Sequence, residues 1–347
     1  MALNLPKTMR AVGLYKYLPI TDPESFLDLE VSLPAVGQSD VLVKVKAVSV
    51  NPIDTKQRAP KPRVEASPRV LGWDGSGVVV DKGSLVNKLK LGDHVYFSGA
   101  LGPSGCNAQY YSVHEGLVAK KPTSLSFEQA AAMPLTTLTA YEIFYDLMKI
   151  SEKDRGKSLL IINSAGGAGS IATQLARHLG LTVIGTAARE ATRSWSLQQG
   201  AQLVLDHKKD LLPQLKDNGY ASGVDYILVN YDPYPYWNTI MEAVKPMGTI
   251  CLIVDSSGLV DIKPLKAKSI TLASEMMMTR YKYNTPDKVK LAEYLELAAE
   301  LFDKGVLKHT LTKTLSPLNA QTLKEAHKII EEQTMVGKLV ITNDQVE

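Results

Sequence analysis

Short segments with alternating apolar and polar positions dominate the first third of the chain. Residues 40–50, DVLVKVKAVSV, place Val41, Val43 and Val45 on one face of an extended chain and lysines on the other, as in a half-buried β-strand. Similar segments follow in VLGWDGSGVVV, DHVYFSG and AQYYSVHEGLVAKK, separated by Gly, Pro and Asn. Short strands at close spacing, with no helix between them, predict a β-barrel or sandwich over residues 7–125.

The pattern changes near Pro122. The segment SFEQAAAMPLTTLTAYEIFYDLM predicts a helical stretch with an N-cap at Ser126 and an interruption at Pro134. Nearly all-apolar strands then alternate with amphipathic segments. The strands are SLLIIN (158–163), LTVIGT (181–186), QLVLD (202–206), VDYILV (224–229), GTICLIV (248–254) and SITLA (269–273). Strands that are apolar on both faces and separated by helices predict a doubly wound parallel sheet.

The last part of the chain predicts two helices and a strand. PDKVKLAEYLELAAELFDKG (286–305) carries an apolar helical face and ends at Gly305, a second helix follows around 319–332, and GKLVIT is a final strand. Because the first β-rich region has few helices of its own, we expect this tail to return to it. The predicted domains are therefore 1–125 with 281–347, which is β-rich, and 126–280, which holds the parallel sheet.

Composition narrows the class of protein. Of 347 residues, 45% are hydrophobic and 22% charged, and the net charge is +3, which is ordinary for a globular protein and argues against nucleic-acid or membrane partners. No apolar run is long enough for a signal peptide or a membrane span. Cys106 and Cys251 alone cannot form a disulfide framework or a zinc cluster. We expect a cytoplasmic enzyme or binding protein with free thiols.

The most informative stretch is SLLIINSAGGAGSIATQLARHLG. An apolar strand runs directly into Gly166, Gly167, Ala168, Gly169 and Ser170, and a helix follows. A helix N-terminus reached through glycines presents free N–H groups to an anion, and the missing Cβ atoms let a pyrophosphate approach the backbone. The order A-G-G-A-G-S departs from G-x-G-x-x-G, but its position between strand and helix is the one that the motif requires. This turn predicts dinucleotide binding.

The end of the next strand bears on the choice of cofactor. NAD-binding proteins place an acidic residue there, about 20 residues beyond the turn, whereas this chain has VIGTAAREATRSW, with Thr186 at the strand end and Arg189 after it. A guanidinium can bind the 2′-phosphate of NADPH, while a carboxylate would repel it. Glu190 is expected to begin the following helix, and Arg193 is read as a solvated helix residue. The predicted cofactor is NADPH.

Several segments together resemble the medium-chain dehydrogenase/reductase superfamily. The matching pieces are VKAVSVNPIDTKQR, LGWDGSGVV, MPLTTLTAYE, AGGAGSIATQLAR, GTAARE, KSITLASEMMMTR and GKLVI, in that order. Within the superfamily they look like the zinc-independent quinone oxidoreductase branch, and most like the group called "zinc-type alcohol dehydrogenase-like". The resemblance implies an α/β fold made of a GroES-like β-rich domain and a Rossmann doubly wound parallel sheet.

The resemblance also allows the zinc ligands to be checked by position. Zinc-dependent relatives have a Cys where this chain has Asn51, and a His-Glu pair where it has Trp73 and Asp74. Asparagine and tryptophan cannot replace a thiolate and an imidazole as zinc ligands. The cysteine-rich lobe that holds a structural zinc is also missing, since residues 101–115 contain only Cys106. We predict neither a catalytic nor a structural zinc.

By resemblance, the acceptor side of the site is formed by Asn51, Asp54 and Trp73. Asn51 would donate a hydrogen bond, Asp54 and Asp74 would organise neighbouring polar groups, and the Trp73 indole would form a flat wall or simply fill the barrel. Thr136 would lie near the nicotinamide. No general acid is evident; the tyrosines considered for this role are Tyr15, Tyr96, Tyr110 and Tyr281.

Further cofactor residues are expected at the carboxyl ends of the parallel strands, where the binding crevice of such sheets lies. They are Asn230, Val254 and Asp255. His207 is either close to the adenosine phosphate or an exposed loop residue, and the resemblance adds Lys338 in GKLVI. The EMMMTR run (275–280) would form an apolar acceptor wall or a contact, and the SITLA edge suggests a homodimer.

The predicted function is an NADPH-dependent oxidoreductase that transfers hydride to a small-molecule quinone or α,β-unsaturated carbonyl without zinc. Such acceptors are already electrophilic and need no Lewis acid, in contrast to a saturated alcohol. Two alternatives remain open at this point. One is a zinc-dependent alcohol dehydrogenase, and the other is an NADPH-binding structural or RNA-associated protein with little turnover.

Overall fold

The computed structural model describes residues 5–99 and 104–343 of the chain. Two compact units are present: Met1–Leu135 with Met278–Glu347, and Thr136–Met277. The sequence predicts the changes of domain at 125 and 280 instead. The segment just after 125 belongs to the first unit because Ser76 Oγ donates a hydrogen bond to the carbonyl oxygen of Phe127 at 2.6 Å.

The first unit begins with short strands, as the alternating pattern predicts. They are β1 (Thr8–Tyr17), β2 (Leu27–Ser32), β3 (Asp40–Val50), β4 (Lys61–Val70), β5 (Asp74–Lys82), β6 (His94–Ser98), β7 (Tyr110–His114) and β8 (Val118–Lys120), with helices α1 (Pro52–Arg58) and α2 (Phe127–Ala131). On β3 the three valines of the predicted buried face are at most 2% exposed. Ser126 caps α2 by accepting a hydrogen bond from the amide of Gln129 at 3.2 Å, which confirms the predicted N-cap.

Strand β4 lies in a segment rich in proline and arginine. Its residues Lys61–Val70 pair antiparallel with β1. The three-stranded sheet has the order β2-β1-β4, so β4 lies at an edge. Proline is tolerated in an edge strand because one side of that strand needs no ladder hydrogen bond.

The second unit is a parallel sheet with helical connections. Its strands are β9 (Ser158–Ile162), β10 (Thr182–Thr186), β11 (Leu203–Leu205), β12 (Val224–Val229), β13 (Val244–Leu252) and β14 (Thr271–Ser274). Its helices are α3 (Pro134–Tyr141), which starts in the first unit and continues into a π-helix at Glu142–Leu147, then α4 (Gly167–His178), α5 (Glu190–Gln198), α6 (Leu211–Asp217), α7 (Trp237–Ala243) and α8 (Lys263–Ala267).

The order of this sheet is β11-β10-β9-β12-β13-β14, and every neighbouring pair is parallel. The order reverses between β9 and β12, which makes this a doubly wound sheet with its ligand crevice expected at the carboxyl ends of the strands. The predicted doubly wound fold is confirmed. The sheet residues Leu160, Ile227 and Ile250 are fully buried in one apolar cluster.

The tail of the chain completes the first unit. It contains α9 (Thr279–Lys282), α10 (Lys290–Asp303), β15 (Leu311–Leu315), α11 (Ala320–Glu331) and β16 (Lys338–Thr342). Strand β16 pairs antiparallel with β3, Leu339 opposite Val50. The resulting sheet has the order β15-β16-β3-β5-β6-β8, with β7 also paired to β3. Among the described residues, no helix is both long enough and apolar enough to cross a membrane.

A buried histidine lies where α11 packs in this unit. The ring of His327 is fully buried, contacts Phe26 edge-on at 4.8 Å between centroids, and neither ring nitrogen has a hydrogen-bond partner among the described residues. Burial, together with the nearby Arg58 cation, lowers the pKa of His327 to about 3. The histidine is therefore neutral in the folded protein at neutral pH.

We expect acidification to destabilise the protein partly through His327. The unfolded histidine titrates near its ordinary pKa of about 6.5, so below that pH the unfolded state binds the extra proton and stability falls. From pH 7 to pH 5 this one group accounts for about 2 kcal/mol. Denaturant unfolding of His327→Leu is expected to lose that much less stability over this range than the wild type. The exposed-site control His178→Leu should keep the wild-type pH dependence; equal losses in all three proteins would contradict the assignment.

Candidate functional site

The glycine turn between β9 and α4 has the geometry of an anion site. Gly166 is the N-cap of α4 and offers no side-chain cap, so the first amides of this 12-residue helix are left as donors. A Cβ atom on Gly169 would lie 2.6 Å from the carbonyl oxygen of Asn163, whereas at Gly166 the nearest atom would be 4.0 Å away. Gly169 is thus required for packing of the helix on the strand, and Gly166 leaves open space beside the amides.

The hydroxyl of Ser170 makes hydrogen bonds within the protein. It donates to the carbonyl oxygen of Gly166 at 2.7 Å and accepts from Trp195 Nε1 at 2.8 Å. Gly167 and Ala168, in the same turn, are half-buried. In this turn the backbone amides, more than the Ser170 side chain, are placed to bind a phosphate.

The strand next to the turn supports it. Thr186 is fully buried at the end of β10, and its Oγ1 accepts a hydrogen bond from the amide of Asn163 at 2.9 Å. His207, beyond the end of β11, lies with Nδ1 3.4 Å from the same Oγ1. Burial lowers the pKa of His207, so its imidazole is neutral at neutral pH. Both predicted residues lie at the carboxyl ends of their strands.

Arg189 is exposed and caps α5, whose first residue is Glu190. The glutamate is therefore part of the helix, as the sequence predicts, and the residues between the end of β10 and Arg189 carry no carboxylate. A guanidinium at this place can bind a ribose 2′-phosphate in a bidentate manner.

Asn230 has the most distinctive environment of the predicted cofactor residues. It follows the last residue of β12, and both its Oδ1 and its Nδ2 are shielded from solvent without a hydrogen-bond partner in the described protein. Buried amide groups are normally paired, so such a side chain requires an explanation. Val254 and Asp255 follow the end of β13 at Leu252. An unpaired side-chain amide near the open glycine turn is consistent with a site that binds a dinucleotide.

In the first unit, Asn51 and Asp54 are fixed by the start of α1. Asp54 Oδ2 accepts a hydrogen bond from the backbone amide of Asn51 at 2.8 Å, which satisfies a donor at the helix N-terminus. Asp54 Oδ1 is buried without a partner among the described residues. Burial raises the pKa of Asp54 to about 7, against the lowering effects of the Asn51 amide and the Lys338 charge. This carboxyl can therefore hold or release a proton near neutral pH.

Three buried side chains form what we call the Asn51–Asp74–Lys338 cluster. Asn51 Nδ2 donates to Asp74 Oδ2 at 2.8 Å, and Lys338 Nζ donates to the same oxygen at 3.1 Å and to Asn51 Oδ1. Asp74 Oδ1 accepts from the amide of Leu135 at 2.7 Å. The side chains of Lys338 and Asp74 are 4% and 0% exposed, so this is a buried ion pair.

The cluster involves two residues that the sequence assigns to the site. Asn51 Nδ2 donates to Asp74 and its Oδ1 accepts from Lys338, and the expected hydrogen bond from Asn51 to an acceptor stays a prediction. Lys338 lies in the first unit as the partner of Asp74, and its expected place among the cofactor residues stays a prediction. The sequence offered no signal for this pair, since the two residues are 264 positions apart. The organising role expected for Asp74 agrees with its three hydrogen bonds.

Trp73 and Thr136 are both buried, at 2% and 4% exposed. The backbone oxygen of Trp73 accepts a hydrogen bond from Gly99 at 2.7 Å, and Gly72 before it has a φ of 107°, which only glycine adopts readily. Such enclosure is typical of a core aromatic residue. The roles of the indole as an acceptor wall and of Thr136 beside the nicotinamide stay predictions.

The side chains at the positions of the zinc ligands do not fit zinc. Asp74 is the one carboxylate among them, and it is already neutralised by Lys338. Cys106 is close, with Sγ 3.3 Å from the backbone oxygen of Asp74, but burial raises the pKa of its thiol well above the usual range, so the thiolate that zinc requires is disfavoured. Residues 5–99 and 104–343 contain no group of three His, Cys, Asp or Glu side chains that could hold a metal.

Two of the tyrosines considered as acids are engaged elsewhere. Tyr96 OH donates to the carbonyl oxygen of Leu295 at 2.5 Å, and Tyr281 OH lies 3.2 Å from His114 Nδ1. Burial raises the pKa of Tyr281 well above its ordinary value. These contacts give both hydroxyls a structural role in the first unit.

Comparison with known proteins identifies the family of the chain. Residues 37–123 match the family "Alcohol dehydrogenase GroES-like domain", and residues 167–295 match "Zinc-binding dehydrogenase". A "zinc-type alcohol dehydrogenase-like protein" of Staphylococcus epidermidis is 44% identical over 96% of this chain and 99% of its own length.

Two further proteins are similar. The chloroplastic "NADPH-dependent alkenal/one oxidoreductase" of Arabidopsis thaliana is 38% identical over 62% of this chain and 56% of its own length. The crystal structure of an alcohol dehydrogenase superfamily protein from Novosphingobium aromaticivorans superposes with a TM-score of 0.83 at 26% identity, over 98% of this chain and 100% of that one.

Proposed function

Because this chain belongs to the medium-chain dehydrogenase/reductase superfamily of oxidoreductases, we propose that it reduces a quinone or an α,β-unsaturated carbonyl with NADPH and without zinc. The observation that carries the proposal is the Asn51–Asp74–Lys338 cluster. The positions that would hold a catalytic metal are occupied by an amide, an indole and a carboxylate neutralised by an internal ammonium. With no Lewis acid at these positions, the acceptor must be electrophilic by itself.

The choice of NADPH rests on the second unit. When bound, NADPH supplies a hydride from its nicotinamide ring. The open amides after Gly166 would hold the pyrophosphate, the exposed Arg189 would bind the 2′-phosphate, and Asn230 would satisfy its unpaired amide on the cofactor. The similarity to an enzyme named as an NADPH-dependent alkenal/one oxidoreductase supports the same choice.

The first unit supplies the polar groups for the acceptor. Hydride transfer to an enone or quinone creates negative charge on oxygen, which a proton donor can neutralise. Lys338 is paired with Asp74, so the cluster carries no net charge. Asp54, beside Asn51, is a carboxyl able to hold a proton near neutral pH, and it would supply that proton.

Oxidation of NADPH and NADH by the purified chain, measured against quinones, enones, aldehydes and alcohols, tests this proposal. We expect turnover with quinones or enones and a preference for NADPH. Turnover of alcohols or aldehydes alone, with about one tightly bound zinc per chain that is lost together with activity, would establish the zinc-dependent alternative. Binding of NADPH with no acceptor turned over would favour a structural or RNA-associated role.

The proposal includes a homodimer. Strand β14 lies at the edge of its sheet with Leu272 exposed, and an edge with unpaired backbone groups can pair with a second copy. Light scattering of the wild type and of a Leu272→Pro variant measures this directly. A monomeric wild type would remove the dimer from the proposal and leave the enzymatic part intact.

A further inference from the structure

Two unpaired polar side chains stand in one row at the carboxyl end of the parallel sheet. Asn230 follows β12 and Glu275 follows β14, and Asn230 Oδ1, Asn230 Nδ2 and Glu275 Oε1 are all shielded from solvent without a hydrogen-bond partner in the described protein. Unsatisfied groups of this kind are rare in native proteins, and each requires an explanation such as a functional role or a bound partner. Glu275 has no part in the function proposed above.

The register of the sheet places these residues side by side. Val229 of β12 is opposite Leu252 of β13, and Leu252 is opposite Ser274 of β14, so the next residue of each strand forms one row. The amide of Glu275 donates to the oxygen of Leu252 at 2.9 Å, which continues the ladder into that row. Neighbouring strands are about 4.8 Å apart, so Asn230 and Glu275 are separated by roughly 10 Å on one face.

The strand order shows which part of a dinucleotide this row would meet. The glycine turn follows β9. On one side of it, the predicted cofactor residue Thr186 ends β10, and Arg189 and His207, predicted near the 2′-phosphate and the adenosine, follow β10 and β11. A dinucleotide crosses the point where the strand order reverses. The other half of a bound cofactor, which carries the nicotinamide, would therefore lie over β12, β13 and β14, where Asn230 and Glu275 are located.

The Asn230 amide and the Glu275 carboxyl are both polar, and both are uncharged at neutral pH. Burial raises the pKa of Glu275 to about 8, so the carboxyl is protonated at neutral pH. The thiol of Cys251 lies on the neighbouring strand β13. Its burial and the charge of an ionised Glu275 both raise its pKa. A neutral carboxyl and an amide each offer both a donor and an acceptor, which complement the oxygen and the NH₂ group of a carboxamide.

We propose that the carboxyl group of Glu275 is a positioning residue that hydrogen-bonds the carboxamide of the nicotinamide ring, in the row that Asn230 begins. This inference rests on the proposed use of a nicotinamide cofactor. It names a side chain of this protein that holds the ring in place, apart from the residues that bind the phosphates.

Titration with NADPH and with 2′,5′-ADP, which contains only the adenosine half, tests the role of Glu275. In the wild type we expect the Kd for NADPH to rise about tenfold from pH 7 to pH 9, as a carboxyl with a pKa near 8 loses its proton, and the Kd for 2′,5′-ADP to change little. Glu275→Gln keeps a neutral hydrogen-bonding group and should bind NADPH normally at pH 7 without this pH dependence. Glu275→Leu should weaken NADPH at pH 7 by about tenfold and leave 2′,5′-ADP unaffected.

Glu242→Gln is the matched control, since this carboxylate is exposed on α7 of the same unit; it should keep the wild-type pH profile. If Glu275→Gln kept that profile too, or if Glu275→Leu weakened both ligands equally, the assignment would be overturned. Absence of NADPH and NADH binding to the wild type would instead overturn the proposed function. Equal melting temperatures of Glu275→Gln and the wild type at pH 7 show that the fold is retained.

Discussion

Replacing Lys338 by methionine is expected to lower the free energy of unfolding by about 3–5 kcal/mol, because it leaves the carboxylate of Asp74 buried without its counter-charge. Asp74 is fully buried, and Lys338 Nζ lies 3.1 Å from its Oδ2. The remaining hydrogen bonds from Asn51 and Leu135 do not neutralise the charge. A shift of the denaturant midpoint measures the loss.

A double-mutant cycle separates the ion pair from packing. In the double variant Asp74→Asn with Lys338→Met, no charged group is left at the site. The Asn51 side chain can rotate so that its Oδ1 accepts a hydrogen bond from the new amide at position 74. We expect this double variant to be more stable than Lys338→Met alone, with a coupling energy of about 2 kcal/mol or more. The exposed pair Lys304–Glu300, at 64% and 65% exposed, provides the control: Lys304→Met should change stability by less than about 1 kcal/mol. Additive single effects would show that Lys338 and Asp74 do not stabilise each other.

Changing Arg189 to glutamate is expected to weaken NADPH binding about 100-fold. The substitution removes a charge-assisted contact with the 2′-phosphate, worth about 1.5–3 kcal/mol, and adds a repulsive charge. The affinity for NADH should be unchanged or higher, because a carboxylate at this point can accept a hydrogen bond from the ribose 2′-hydroxyl. The Kd values of both cofactors, measured by fluorescence titration, give the ratio directly.

Arg193→Glu makes the same change of charge one helical turn further along α5. Because Arg193 is half-buried and one turn away from Arg189, we expect it to act on the cofactor only through screened electrostatics and to change the ratio of NADPH to NADH affinity less than about fivefold. Equal effects of the two variants would show that general charge, and not a contact by Arg189, sets the preference. No change in either variant would remove Arg189 from the cofactor site.

Local signals in the sequence were sufficient to predict the glycine turn with the strand before it and the helix after it. The apolar run of β9, the glycines after it and the amphipathic α4 follow one another within a few residues, and each imposes its own backbone conformation. The need for glycine at 169 has a local cause too, since its Cβ would meet the backbone of Asn163. The N-cap at Ser126 and the alternation on β3 were predicted correctly for the same reason.

The sequence by itself determined the α/β fold, the doubly wound sheet and the place of the glycine turn, because periodicity, caps and glycines act over short stretches of chain. Only the tertiary structure decided what the buried polar groups contact. The register of β16 on β3, and of β3 on β5, brings Lys338 to Asn51 and Asp74, and the parallel register of β12, β13 and β14 brings Glu275 into the row of Asn230. Such pairings depend on how distant strands align, and no spacing along the chain encodes that alignment.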